Sequence, residues 1–209
     1  MLSAYRDPVA GDYWNHNTHY HRLVLDAVPA GCRAALDVGC GDGLLVSRLA
    51  ARAREVTGVE RSPGMLRLAA ERTRHLDNVR LVRADFPAPA GLLPAGGYDL
   101  VTAVAVVHHM DFAEAVTAMR ALLAPGGRLV LVGLARNATW WDWTVSAAGV
   151  PAAWLAARRH GGKSDPPGMP VTDPALSWGQ VRAAARRLLP GCRIRRHLLW
   201  RWSLVWTRP

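Results

Sequence analysis

Three carboxylates, Asp37, Glu60 and Asp85, each stand at or near the end of an apolar run. A carboxylate only accepts hydrogen bonds, so it suits hydroxyl or amine donors. After Asp37 come Gly39, Cys40, Gly41 and Gly43, within "LDVGCGDG". Glycines let a ligand approach the main chain and permit unusual φ values. A dinucleotide loop needs G-x-G-x-x-G; the sixth position is Leu44 counted from Gly39 and Val46 counted from Gly41, so that pattern fails. Glu60, followed by Arg61, is placed to accept from a ribose diol or to sit in an exposed turn. Asp85 is placed to accept from an adenine amino group, with Phe86 flanking the ring. The sequence of glycine loop, acid, then acid with aromatic outlines a nucleoside site.

Further residues suit proton transfer or acceptor binding. His108 and His109 end "YDLVTAVAVVHHM". Histidine titrates near neutrality, so either is a candidate base, or the pair is structural in the turn. Alternation along a strand favours His108 as the one facing a pocket. In "YWNHNTHYHRLVLDAV", Tyr13, Asn17, Tyr20 and His21 are offset by four, seven and eight, one face of a helix. That face is a lid over a small ligand or a helix packed at the sheet edge. Trp140, Trp141, Trp143 and Trp154 offer an aromatic wall for an acceptor, core packing or a membrane-surface anchor. Asp142 among them could orient a cation or hydroxyl. Arg201 could hold an anionic acceptor, while Arg195, Arg196 and His197 suit exposed positions of edge strands.

The elements that must position these residues alternate. Strand-like runs "AALDVG", "EVTGVE", "VRLVRADF", "YDLVTAVAVVHHM" and "RLVLVGL" are separated by helical patterns "LLVSRLAARAR", "SPGMLRLAAERTRHL" and "FAEAVTAMRALL". Ser62 is a helix cap with Pro63 at the first helical position. Such alternation predicts right-handed βαβ units in a parallel sheet, with ligands at the strands' carboxyl ends. Beyond Leu134 a helix is predicted over residues 140–159, a loop to 174, a helix in "ALSWGQVRAAARRLL" and two closing strands.

Bulk properties bound the reading. Half of the 209 residues are hydrophobic, which fits one domain with a sizeable core. The first residues are polar and read as neither signal peptide nor membrane span, and Cys32, Cys40 and Cys192 lack metal-ligand spacing. We therefore expect a cytoplasmic protein with reduced cysteines and no metal. The net charge of +10 invites a nucleic-acid partner, yet the basic residues are scattered apart from Arg182, Arg186, Arg187, Arg193, Arg195, Arg196 and Arg201. Lys163 is the only lysine, and the Arg-, Ala-, Gly- and Pro-rich composition is that of a GC-rich genome.

"LDVGCGDG", "VTGVERSPGML", "VRADF", "YDLVTAVAVVHHM" and "LLAPGGRLVLVGL", in this order over residues 34–134, resemble the class I S-adenosylmethionine-dependent methyltransferases. The tail "LLPGCRIRRHLLWRWSLVW" resembles the end of small bacterial members. The resemblance implies an α/β three-layer αβα sandwich around a mostly parallel seven-stranded sheet whose last strand is antiparallel. It implies a single domain over 1–209, with an N-terminal lid helix in 1–30 and a variable cap in 135–174. The cofactor is then S-adenosylmethionine, released as S-adenosylhomocysteine. Gly39, Gly41 and Gly43 would pass beneath its methionine part near Asp37. Glu60 would hold the ribose with Arg61 beside it, and Asp85 and Phe86 would flank the adenine. The main chain at Ala103, Val104 and Ala105 would line the methyl side. The expected reaction is in-line transfer to an O, N or C atom of a small molecule, by a monomer or homodimer. A nucleic-acid or protein methyltransferase is the alternative, although "AVVHHM" stands where an "NPPY"-type motif would mark amino methylation of bases. A non-catalytic cofactor-binding subunit is the other.

Overall fold

The computed structural model describes residues 12–87, 92–166 and 172–209. The expected lid and cap segments are described only in part, because residues 1–11 and 167–171 lie outside these ranges. Seven strands are present: β1 (Ala34–Val38), β2 (Glu55–Glu60), β3 (Val79–Arg83), β4 (Tyr98–Val104), β5 (Leu123–Gly133), β6 (Arg193–Arg196) and β7 (Trp202–Thr207). Their order across the sheet is β3-β2-β1-β4-β5-β7-β6. Neighbours pair in parallel from β3 to β5, and β7 alone is reversed against β5 and β6. This is the mostly parallel α/β sheet expected from the sequence.

Period-two alternation divides the strand residues between two cores. Leu36, Val38, Val101, Ala103, Leu129 and Leu131 join one core. Ala35, Leu100, Val130 and Val132 join the other. On the first face lie α4 (Phe112–Leu122), through Ala115, Val116 and Met119, and α6 (Trp178–Leu188), through Val181 and Ala185. On the second lie α1 (His21–Asp26), through Val24, and α2 (Leu44–Leu49), through Leu45, Val46 and Leu49. α5 (Trp140–Arg159) presents Ala152, Ala153, Ala156 and Ala157 to that same face. α3 (Pro63–Thr73) starts as expected, Ser62 Oγ accepting from Met65 N at 3.4 Å with Pro63 at the first position.

Three local expectations are corrected. Tyr13, Asn17, Tyr20 and His21 do not share one helix. Asn15 Oδ1 accepts from the main-chain N–H of Asn17 and Thr18, and Thr18 Oγ1 accepts from Asn15 N at 2.9 Å. These side-chain bonds compete with helix upstream, so a 3-10 turn (Thr18–Tyr20) and then α1 begin only after them. α2 stops at Leu49 rather than near residue 54, because the chain must turn to let Arg54 and Glu55 donate to the carbonyls of Cys32 and Arg33 at the start of β2. At the sheet edge only Arg193 and Arg195 are exposed on β6. Arg196 turns inward to Asp142 at 2.5 Å, and His197 Nε2 meets Ser203 Oγ at 2.6 Å.

Candidate active site

β1 and β4 are neighbours at the point where strand order reverses, the place where open α/β sheets bind ligands. A cavity of about 560 Å³ opens there. Its floor is the turn after β1. Gly39 N and Cys40 N donate to Val59 O at 2.8 and 3.0 Å, which folds the loop back against β2. Gly39 has φ +69°, and a Cβ there would lie 2.1 Å from Val106 Cγ2, so no other residue fits. Gly43 has a different task. At φ +79° it starts α2 outside the cavity lining, where a Cβ would lie 2.9 Å from Ala69 Cα of α3.

The carboxylates take distinct roles. Asp37 is buried and lines the cavity, and its Oδ1 has no hydrogen-bond partner among the described residues. Burial, then the nearby Glu60 charge, pushes its carboxyl well above the usual carboxylate range. Glu60 spreads its two oxygens over two main-chain donors: Oε2 accepts from Gly41 N at 3.1 Å and Oε1 from Ser62 N at 2.8 Å. Each oxygen keeps a lone pair for another donor. Asp85 stands exposed at the rim, 3.9 Å from Arg61 Nη1, while Phe86 is buried beside it. Burial, followed by the charges of Asp37 and Glu60, raises the Cys40 thiol well above its ordinary value, so it stays protonated.

Asp42, absent from the expected site, holds this loop in place. Its Oδ2 pairs with Arg72 of α3 at 2.8 Å, both side chains buried, and its Oδ1 accepts from Tyr13 OH at 3.1 Å. One carboxylate thus ties the glycine turn to α3 and to the N-terminal segment.

At the end of β4, Val104, Ala105 and Val106 line the cavity, while Ala103 is fully buried in the core. Ala105 adopts φ 56°, left-handed for a residue with a Cβ, and its N–H donates to Val132 O at 2.7 Å. His108 and His109 follow on a 3-10 turn (Val107–His109) rather than on a strand. Successive side chains are then about 120° apart, so both rings line the cavity, their centroids 4.0 Å apart. Alternation therefore does not separate them. Burial, with the charges of His109 and Arg201, lowers His108 to about 4, so it is neutral at physiological pH. Its Nδ1 is buried without a partner among the described residues.

Two further segments line the cavity. Tyr13, Asn15, Asn17, Thr18 and His21 come from the N-terminal segment, and Lys163, Asp165 and Pro166 from the chain leaving α5. They are latched together: Asn15 Nδ2 donates to Asp165 Oδ1 at 3.0 Å and Ser164 N to Trp14 O at 2.9 Å. Arg201 also lines the cavity. Its Nε and Nη2 donate to Asn17 Oδ1 at 2.9 and 2.6 Å, and among the described residues it pairs with no carboxylate. Burial lowers it to about 10, which leaves it charged.

Six expected site residues lie elsewhere. Gly43 and Ala103 belong to packing, as described. Tyr20 points its hydroxyl at Leu198 O. Trp140 and Trp141 are exposed. Asp142 is buried under α5: Oδ2 accepts from Ala138 N and Thr139 N, and Oδ1 pairs with Arg196, which together hold its pKa down at about 2. Its fourth neighbour, the Thr139 hydroxyl, closes a capping box. The sequence reading missed Asn15, Asp42, Met65, Lys163 and Asp165. For Lys163 a signal was present, since it is the one lysine in an arginine-rich chain.

A glycine turn and a cavity at the switch point of a mostly parallel seven-stranded sheet define a Rossmann-like domain. A family model described as a methyltransferase domain matches residues 36–129. An uncharacterized methyltransferase of Mycobacterium tuberculosis is 36% identical over 201 residues, covering 94% of this chain and 98% of that protein. A ubiquinone biosynthesis O-methyltransferase of Psychrobacter arcticus is 38% identical over 121 residues, 56% of this chain and 46% of that protein. Among solved structures, an S-adenosylmethionine-dependent methyltransferase of Aquifex aeolicus aligns with TM-score 0.61 at 15% identity over 90% of this chain and 89% of its own. An N-methyltransferase of Bradyrhizobium japonicum in complex with S-adenosylhomocysteine aligns with TM-score 0.61 at 17% identity over 96% and 94%. At such identities these two likenesses are of fold. The chain belongs to the class I S-adenosylmethionine-dependent methyltransferases.

The residues present fit that cofactor. The orphaned Asp37 Oδ1 needs a donor, which an ammonium group supplies. At Gly41 a Cβ would meet nothing within 4 Å, so the main chain there lies open to the cavity. Glu60 retains acceptor capacity on both oxygens for a vicinal diol.

Proposed function

We propose that this methyltransferase acts on a hydroxyl of a small molecule that also carries an anionic group. S-adenosylmethionine, when bound, supplies a methyl carbon activated by its sulfonium. The chain's residues must then align the acceptor oxygen, exclude water and remove its proton. In this reading Asp37 and the main chain of Gly39, Cys40 and Gly41 hold the amino-acid end. Glu60 holds the ribose, with Arg61, Asp85 and Phe86 about the adenine, and Val104 lies beside the methyl group. His108 takes the hydroxyl proton, and Arg201 holds the anion. His109, with its pKa lowered by burial and then by Arg61, stays neutral beside it.

The observation that carries this reading is one cavity lined by both a neutral histidine with a ring nitrogen unpartnered among the described residues and an arginine that pairs with no carboxylate among them. The cavity's 560 Å³ falls within the size range of small-molecule sites, about 300–1,000 Å³. Relatives named as ubiquinone biosynthesis O-methyltransferases favour oxygen as the acceptor atom.

The test is release of S-adenosylhomocysteine from S-adenosylmethionine with a panel of phenolic and aliphatic hydroxy acids, their neutral esters, and amines. Turnover of the hydroxy acids is the expected result. His108→Ala is expected to lower it by roughly 10²–10⁴-fold, the usual worth of a positioned base, with S-adenosylhomocysteine affinity unchanged. Arg201→Met is expected to raise KM for acids and leave the esters unaffected. Full turnover by His108→Ala at neutral pH, or a preference for amines, overturns the reading.

A further inference from the structure

α5 is amphipathic in reverse. Its inward face is small: Gly149, Ala152, Ala153 and Ala156 pack against the sheet or Trp200. Its outward face carries the bulk, with Trp140 74%, Trp141 60%, Trp143 65%, Val150 59% and Trp154 60% exposed, and Leu155 beside them. Leu198 and Trp200, in the turn between β6 and β7, are also exposed. This turn is fixed beside the helix, because Trp200 Nε1 donates to Ser146 O of α5 at 3.1 Å. Monomeric proteins seldom leave a large cluster of apolar side chains to water.

Apart from the half-buried Trp178 of α6, the indoles divide into two sets. Trp14, Trp200, Trp202 and Trp206 each donate Nε1–H to a protein acceptor. The indole N–H groups of Trp140, Trp141, Trp143 and Trp154 have no acceptor among the described residues. The exposed charges of α5 have one sign. Its acid, Asp142, is turned inward to Arg196, whereas Arg158 and Arg159 are exposed at the helix end; Lys163 beyond it is paired with Asp165 at 2.7 Å. The Arg158 guanidinium lies 4.7 Å from the Trp154 ring centroid.

We propose that the outer face of α5 docks flat on an anionic phospholipid bilayer. Indoles settle at headgroup depth, where the ring is half in hydrocarbon and the N–H meets phosphate or ester oxygens. Arg158 and Arg159 add attraction to anionic lipid. The net charge of +10 supports that surface and opposes a second copy of the chain. No helix among the described residues is long and apolar enough to cross a membrane, so α5 lies along the surface. The segment leaving α5 supplies Lys163, Asp165 and Pro166 to the cavity, so the docked face adjoins the lining of the site.

The experiment is co-sedimentation of the full chain with extruded vesicles, of phosphatidylcholine alone and of phosphatidylcholine with phosphatidylglycerol. Quenching of tryptophan emission by brominated phosphatidylcholine in the mixed vesicles reads the depth. Binding to mixed vesicles with quenching is expected, and weaker binding to neutral ones. Trp140→Ser/Trp143→Ser/Trp154→Ser is expected to weaken partition at least ~10-fold, and Arg158→Ser/Arg159→Ser roughly 30-fold on anionic vesicles. Both variants are expected to retain S-adenosylhomocysteine affinity by calorimetry, which shows that they fold. If the wild type ignores anionic vesicles, or the tryptophan variant partitions equally with unchanged quenching, the proposal fails. It fails also if sedimentation equilibrium reveals a dimer that the tryptophan variant abolishes while vesicle binding is absent.

Discussion

Replacing Glu60 by glutamine keeps size and shape while removing the negative charge and one of the two acceptor oxygens. In the structure each oxygen serves a different main-chain donor, Gly41 N–H on Oε2 and Ser62 N–H on Oε1. A glutamine has one acceptor oxygen, so its NH₂ must face one of these donors. The same NH₂ replaces an acceptor on the ribose side. A hydrogen bond to a charged group is worth about 1.5–3 kcal/mol. Loss of one such bond to the cofactor corresponds to roughly 10- to 150-fold in affinity. Glu60→Ala loses both acceptors and releases the Gly41 turn, so its effect should be larger still. The assay is calorimetric titration of S-adenosylhomocysteine into wild type and both variants, with the melting temperature of each free protein as a control for folding. An affinity for Glu60→Gln within about twofold of wild type, with an unchanged melting temperature, would refute the assignment of Glu60 to the ribose.

Asp37 offers an opposite sign in stability and binding. Its carboxyl is raised in the folded state, so the stability it contributes is present below the unfolded value of about 3.9 and is lost as pH rises through the folded value. Asp37→Asn should therefore melt higher than wild type at neutral pH without cofactor, yet bind S-adenosylhomocysteine more weakly in calorimetry. The Asp42–Arg72 pair is buried on both sides, so Arg72→Met should cost about 3–5 kcal/mol in urea unfolding, and the double variant Asp42→Leu/Arg72→Met markedly less. His21 is buried with Nδ1 3.0 Å from Arg48 Nη1, and burial, then Arg48, lowers it to about 3. Its unfolded form takes a proton first as pH falls, so stability is present above about 6.5 and lost progressively toward 3. His21→Gln should flatten that decline in denaturation midpoints measured between neutral and mildly acidic pH.

Much of the cavity lining around the glycine loop was legible in the sequence. Asp37, Gly39, Gly41, Glu60, Asp85 and Phe86 all line one cavity, because strand ends of a parallel sheet converge wherever strand order reverses. Such positions are fixed by local chain, a strand followed by its turn. The rest of the lining was less legible. Asn15, Lys163, Asp165 and Arg201 meet across distances of up to 186 residues in the chain, through irregular segments with no periodicity to read. Histidine orientation also escaped, since a strand was expected where the chain tightens into a 3-10 turn.

The sequence by itself determined the sheet, the glycine loop and the strand-end carboxylates, because apolar periodicity and glycine spacing are local properties of the backbone. Only the tertiary structure decided which aromatic and charged groups line the cavity. It turned Asp142 away to cap α5 and pair with Arg196, drew Arg201 into the cavity, and left the tryptophans facing outward. A residue's type states what it can bond; which partner it meets depends on how separate elements pack, and that is a property of the whole fold.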